Sequence, residues 1–205
     1  MVGVIGPKDK GLLNQIRMEG VTVINTTSHS SGWTRGLSPF LAGPVRLYGN
    51  FSAHNVENAW QYSKVYKEHI DQKGEPTKDY WQWAKQGWKK TKADRYPMGK
   101  DRKPEYSYWD GKHFNYVEAK KKIYAPLYIK AVAPSSAFKT LKKLYKERGR
   151  VYLWDFDGYD YLTMNKSLRD VINDPKCKTG HAFILAMLLT LSKNEILDIL
   201  EIKND

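Results

Sequence analysis

Val56-Glu57-Asn58-Ala59-Trp60-Gln61-Tyr62-Ser63-Lys64-Val65-Tyr66 is the stretch on which the reading of the chain turns. At about 100° per residue, a helix here places Glu57, Trp60, Gln61 and Lys64 on one face. Val56, Ala59, Ser63 and Tyr66 fall on the other and can pack inward. The polar face sets an acid, an amide and an amine in a row, with an indole beside them. A solvated helix has no need of such a back, and a core helix does not carry such a front. The pattern predicts a helix that walls a pocket.

Working outward, His54 or Asn55 is placed to cap this helix. Upstream, Val21-Thr22-Val23-Ile24 is rich in β-branched residues and predicts a short strand. The polar loop Asn25 to Gly36 follows, with Trp33 and Arg35 set into it. A loop of that composition after a strand either lines a site or merely connects. Pro44 to Tyr48 alternates as a strand, and Gly49-Asn50 supplies a turn before Phe51. Downstream, residues 67–76 form a polar loop. Thr77 caps a helix in which Trp81, Ala84 and Trp88 recur at helical spacing, interleaved with Lys85, Lys89, Lys90 and Lys92. Rings and amines so mixed suit single-stranded nucleic acid, and core packing beneath a solvated lysine face accounts for them equally.

Tyr96 to Pro104 is bounded by prolines and is irregular. The aromatics Tyr106, Tyr108, Trp109 and Phe114 follow. Residues 114–133 read as helical with an interruption at Pro126. Ser136 opens an amphipathic helix with Phe138, Leu141, Leu144 and Tyr145 inward and Lys139, Lys142, Lys143 and Lys146 outward; Gly149 stops it. Val151-Tyr152-Leu153-Trp154 predicts a strand that empties into Asp155, Asp157 and Asp160. An EF-hand needs Gly at its sixth position and Glu at its twelfth, where this loop has Asp160 and Lys166, so calcium is rejected. Gly180-His181 leads into the apolar helix Ala182 to Leu191. Ser192 and Glu195 form a capping box for a last helix over 192–203. The expected architecture is mainly α with a few short strands, α+β, in a single compact domain over 1–205.

The 205 residues are 41% apolar with seven tryptophans, enough for a packed core. The formal net charge is +12, unevenly spread. Lys85 to Lys103 carries a net +6 and Lys112 to Arg150 a net +9, whereas acids outnumber bases from Val151 onward. This asymmetry points to a polyanionic partner meeting the middle of the chain. Cys177 is the only cysteine, which excludes an internal disulfide and a cysteine zinc site. No ligand-like spacing joins the five histidines, so neither metal nor cofactor is expected. The opening residues are not a secretory signal, and the longest apolar run falls short of the ~20 residues a bilayer requires. A soluble, cytoplasmic monomer without membrane contact is expected.

The order of these pieces resembles the NADAR family, the YbiA-like N-glycosidases. The family's Ser-Asn-Phe and its Glu-His-x-aromatic-Gln-x-x-Lys are matched by Leu37-Ser38-Pro39-Phe40 and by Glu57-Asn58-Ala59-Trp60-Gln61-Tyr62-Ser63-Lys64. A glycine-basic segment followed by tryptophan is matched by Met98-Gly99-Lys100-Asp101-Arg102 and Trp109. An acidic strand end is matched by Asp155 and Asp160, and Thr179-Gly180-His181-Ala182-Phe183 faintly echoes the family's last helix start. The NADAR-like core spans about 21–190. Pro39, Asn58 and His181 stand where the family has Asn, His and Asn.

The resemblance implies cleavage of an N-glycosidic bond of a ribose derivative, either a small riboside or ADP-ribose carried on guanine bases of DNA. Breaking a ribosyl C–N bond builds positive charge on the sugar, which a carboxylate stabilises. Glu57 is expected in that role, with Asp160 as water activator or ribose partner and Lys64 as neutralising charge or Schiff-base nucleophile. Trp60 and Trp109 are expected to stack on the base, Gln61 and Asp155 to contact ribose or base, and Lys100 and Arg102 the pyrophosphate. Trp33 and Arg35 complete the expected binding set. The basic middle exceeds what a free nucleotide needs, so ADP-ribosylated DNA is the expected partner. The expected function is metal-independent removal of ADP-ribose from DNA, guarding a bacterium or phage against a DNA-modifying toxin. The rivals are a small-molecule N-glycosidase and a basic nucleic-acid-binding protein without catalysis.

Overall fold

The structure, a computed structural model, describes residues 1–203. Helix makes up 44% and strand 13%, so the single domain is α+β and mainly helical, as the sequence predicts. The chain runs β1 (Val2–Ile5), α1 (Lys10–Met18), β2 (Thr22–Asn25), a 3-10 segment (Gly32–Leu37), β3 (Val45–Arg46), β4 (Ser52–Ala53), α2 (Val56–Gln61) and β5 (Lys64–Val65). It continues through α3 (Lys78–Lys89), β6 (Tyr106–Trp109), β7 (Lys112–Phe114), α4 (Tyr116–Ala119), a π-helical stretch (Lys120–Tyr124) and α5 (Ala125–Val132). The last elements are α6 (Ser136–Arg148), β8 (Val151–Trp154), α7 (Leu168–Asn173), α8 (His181–Thr190) and α9 (Lys193–Ile199).

A three-stranded parallel sheet organises the molecule. β8 lies between β1 and β2, with Val151 opposite both Val2 and Thr22, and Trp154 opposite both Ile5 and Asn25. Strands covered on both faces read as unbroken apolar runs. Val151 and Leu153 accordingly join the main core, while Tyr152 packs with Ile5 and with Ile16 of α1 on the other face. A Cβ on Gly3 would lie 2.2 Å from the Tyr152 ring, so the glycine makes room for it. The sequence pattern gave no element before residue 21; β1 and α1 are additions. A second sheet, β5-β6-β7, is antiparallel.

Capping follows the sequence closely. Asn58 N donates to the Asn55 side chain at 2.8 Å, Tyr80 N to Thr77 at 3.4 Å, and both bonds of the Ser192–Glu195 box form. Helix α6 starts at Ser136 as predicted, with Ser135 as its cap, and ends at Gly149 with φ +69. Several elements differ from expectation: β6, β7 and α7 are further additions, and the last helix, expected over 192–203, ends at Ile199. Helix α2 stops at Gln61 instead of running to Tyr66: the Ser63 hydroxyl donates to the Trp60 carbonyl at 2.8 Å. Strand pairing then takes over, with Lys64 opposite Ser107. The interruption predicted at Pro126 lies just before it. Proline has no N–H and its ring clashes with the carbonyl four residues back. The preceding turn widens, and Ala125 N reaches Lys120 O in the π pattern.

Helix α8 is the centre of the main core, with Phe183, Ile184, Leu185 and Met187 fully buried. Each such side chain contributes about 1.5–3 kcal/mol by leaving water. That burial anchors the N-terminal end of α8, which carries part of the site.

Candidate active site

The carboxyl ends of β2 and β8 open onto a cavity of about 270 Å³. Crevices at that edge of a parallel sheet are where α/β proteins bind ligands. The chain leaving β2 contributes Thr27, Ser28 and His29, and the chain leaving β8 contributes Asp155, Phe156 and Asp157. The polar face of α2 supplies Glu57, Trp60 and Gln61, and the first residue of β5 supplies Lys64. Lys120 and Tyr124 of the π stretch, and Thr179 to His181 at the start of α8, close the remaining sides.

Glu57 and Gln61 are buried. Gln61 Nε2 donates to Glu57 Oε1 at 2.8 Å, and Lys64 Nζ donates to Gln61 Oε1 at 2.7 Å. A carboxylate only accepts and an ammonium only donates, so this row fixes the orientation of the amide between them. Burial pushes the Glu57 carboxyl up to about 7, against the lowering effect of Gln61 and Lys64. Burial likewise draws the Lys64 amine down to about 8, against the pull of Glu57. Both groups therefore exchange protons near neutrality. The Lys64 amine also lies 4.9 Å from the centre of the Trp60 ring.

A second polar unit faces them. His181 Nδ1 lies 3.1 Å from Asp155 Oδ2, and His181 Nε2 lies 2.8 Å from the Thr26 carbonyl oxygen. A carbonyl can only accept. The Asp155 carboxylate already accepts Ala182 N at 3.3 Å and Asp157 N at 3.3 Å. Both ring nitrogens of His181 thus carry protons, making it an imidazolium. The ion pair overcomes burial in both partners: Asp155 is held below the usual carboxylate range and His181 above the usual imidazole range. A Cβ at position 180 would sit 2.2 Å from Asp155 Oδ2, so only glycine lets α8 begin against that carboxylate.

Asp157 carries the cations of the rim. Arg95 reaches its carboxylate at 3.0 Å and Lys178 at 3.4 Å. The Arg95 guanidinium sits 5.5 Å from the Tyr96 ring and 5.7 Å from the Phe156 ring. Those two rings are 39% and 40% exposed, which leaves planar surface available at the mouth.

Of the catalytic and binding residues expected from sequence, Glu57, Trp60, Gln61, Lys64 and Asp155 line the cavity, whereas Asp160, Trp109, Lys100, Arg102, Trp33 and Arg35 lie away from its lining. Asp160 instead caps its own turn, accepting Leu162 N at 3.2 Å and Thr163 N at 3.4 Å. Trp109 packs 4.9 Å from Tyr48 at the end of β6. Arg102 pairs with Glu68 at 2.5 Å, and Lys100 is exposed in the 96–104 loop. Trp33 and Arg35 are exposed on the 3-10 segment. Pro39 and His181 line the cavity; Asn58 does not, its amide bonding the Lys90 and Lys92 carbonyls at 2.8 and 3.1 Å. Sequence reasoning missed Arg95, Lys120, Tyr116, Tyr124 and Lys178, and named Asp157 only as one of three acids after the strand without assigning it to the site. For Lys120 a signal existed: it occupies the apolar face that Ala119 and Ile123 define.

Among the described residues, no group of three or more His, Cys, Asp or Glu gathers where a metal ion could be held. None of the helices among them is long and apolar enough to cross a membrane. A model for a family of unknown function, DUF6939, matches residues 9–172. The chain belongs to this family. No curated protein and no solved structure matches it.

Proposed function

We propose that the cavity hydrolyses an N-glycosidic bond to ribose, and that its substrate is ADP-ribose carried on a guanine base of DNA. The observation that carries the reading is the buried Glu57–Gln61–Lys64 row on the cavity wall. Cleavage sends the electron pair of the C–N bond to the base nitrogen and leaves positive charge on the sugar. Ionised Glu57 stabilises that charge where water is largely excluded. The Lys64 ammonium supplies the proton the departing base needs. Water then adds through oxygen to the sugar carbon, and its proton passes to Glu57. The alternative route has Lys64 attack as a free amine, which its lowered pKa favours.

Trp60 and Tyr124, with ring centres 5.3 Å apart, offer apolar surface for base or sugar. Asp157 is a third carboxylate at the cavity beside Glu57 and Asp155, in the stretch from which the resemblance drew Asp160. The NADAR-like pattern over Glu57 to Lys64 supports the reaction class. The exposed lysines of α6, Lys139, Lys142, Lys143 and Lys146, support a nucleic-acid substrate over a free riboside.

The test is an oligonucleotide carrying ADP-ribosylated guanine, with release of ADP-ribose followed for the wild type, Glu57→Gln and Lys64→Met. Release by the wild type, lost in Glu57→Gln, is expected. No release by the wild type overturns the activity; unchanged release in both variants overturns the site alone.

A further inference from the structure

Lys120 is a buried amine that the proposed reaction leaves without a task. It is 1% exposed yet lines the cavity. Its Nζ donates to the Asp174 carbonyl oxygen at 2.8 Å and to Thr179 Oγ1 at 3.1 Å, and lies 4.7 Å from the centre of the Tyr116 ring. All of these partners are neutral. The Asp174 carboxylate is engaged elsewhere, accepting Lys166 Nζ at 2.7 Å and Lys176 N at 2.8 Å. An ammonium carries three donors, and protein oxygens take two. A buried cation without a counter-ion is costly, and the cost falls when an anion joins it.

The rest of the cavity does not supply that anion. Asp155 is committed to His181, Asp157 to Arg95 and Lys178, and Glu57 to Gln61. Counting Lys64, Arg95, Lys120, Lys178 and His181 against three carboxylates, the lining is cationic overall. Lys120 also stands on a different wall from Lys64, on the π stretch and beneath the Asp174 to Thr179 loop.

Thr179, whose hydroxyl donates to the Val171 carbonyl at 3.2 Å, only positions the amine. The geometry points to Lys120, beside the rim of Tyr116, as the subsite for a phosphoryl group of the ligand. This deepens the reading of the cavity as a ribosyl pocket by naming the residue that receives the anionic part, a task that the exposed Lys100 and the paired Arg102 do not perform. The phosphoryl oxygen accepts the third N–H of Lys120, and the reacting bond then lies toward Glu57 and Lys64. Inorganic phosphate and a nucleoside diphosphate sugar share this chemistry.

The experiment titrates the full chain with inorganic phosphate, AMP and ADP-ribose, and reads binding by calorimetry. Wild type and Lys120→Arg are expected to bind all three, or AMP and ADP-ribose alone if the subsite needs the attached nucleoside. Lys120→Met is expected to bind at least tenfold more weakly, while Lys193→Met, which removes an exposed charge from α9 outside the cavity lining, binds as wild type does. Equal affinity in Lys120→Met and wild type overturns the subsite, as does a wild type that binds none of the three. Should Lys120→Met fail to fold, Lys120→Gln, which keeps a polar head for the Asp174 carbonyl and Thr179, takes its place: at least tenfold weaker binding is expected, and affinity equal to wild type overturns the assignment. None of these readouts needs glycosidic cleavage, so a failed release assay leaves them standing.

Discussion

Glu57 and Lys64 share one amide, Gln61, which donates to the first at 2.8 Å and accepts from the second at 2.7 Å. Gln61→Met removes both bonds while keeping the volume. Glu57 loses a partner that favours its charged form, so its carboxyl should titrate higher still. Isotope-edited infrared spectroscopy of the carboxyl band checks the direction. The unsatisfied buried groups should cost about 1–3 kcal/mol in denaturant unfolding.

The two shifts also set a dependence of stability on pH. Glu57 titrates higher folded than unfolded, so its contribution is complete below about 4.5 and is lost as pH rises through about 7. Lys64 titrates lower folded than unfolded, so its contribution is complete above about 10.5 and is lost as pH falls through about 8. Both contributions are smallest between about 7 and 8. A Glu57→Gln, Lys64→Met double variant should therefore gain most over wild type near pH 7.5, and less at pH 5 and pH 10. Urea unfolding at the three values measures it; a gap independent of pH contradicts it.

Activity should carry the same signature. If ionised Glu57 stabilises the sugar cation, the rate climbs through about 7. A limb that falls through about 8 marks Lys64 as proton donor, and one that rises there marks it as nucleophile. Borohydride during turnover should trap an adduct only in the second case.

His181 and Asp155 form a unit in which each depends on the other. Removing the imidazolium in His181→Ala leaves Asp155 buried and uncompensated, at a cost of about 3–5 kcal/mol. Asp155, held low, contributes stability above its unfolded value that is lost as pH falls through its folded one. His181, held high, contributes below its unfolded value and loses it as pH rises through its folded one. The pair is therefore expected to be strongest between the two unfolded values, and the deficit of His181→Ala should shrink on both sides as pH passes toward the folded ones.

Asp160→Asn should leave ADP-ribose release within twofold of wild type. Asn keeps the oxygen that accepts Leu162 N and Thr163 N, and the side chain lies outside the cavity lining. Loss of release in this variant would return Asp160 to the site.

Local chemistry was legible in the sequence wherever it was settled within a few residues. The caps at Asn55, Thr77 and Ser192 bond to partners three residues away, and the α2 face that carries Glu57, Trp60 and Gln61 follows from helical spacing. What depended on distant partners was hidden. Lys64 left the helix because Ser107, 43 positions on, pairs with it. Which of Asp155, Asp157 and Asp160 meets the cavity is set by a turn in which Gly158 presses on the Ile5 carbonyl, where a Cβ would come within 2.3 Å. Arg95, Lys120 and Lys178 come from three separate segments, and no spacing rule connects them.

The position of β8 has a consequence for how the protein is made. The strand that joins β1 to β2 comes some 125 residues after β2 in the chain. During synthesis from the N-terminus, two short apolar strands wait without the neighbour that satisfies their backbone, and such edges invite mispairing. Nascent chains arrested before Val151 should be protease-sensitive throughout β1 and β2. Protection should appear only once Trp154 has cleared the ribosome, so the sheet edge that bears the cavity is among the last parts of the molecule to exist.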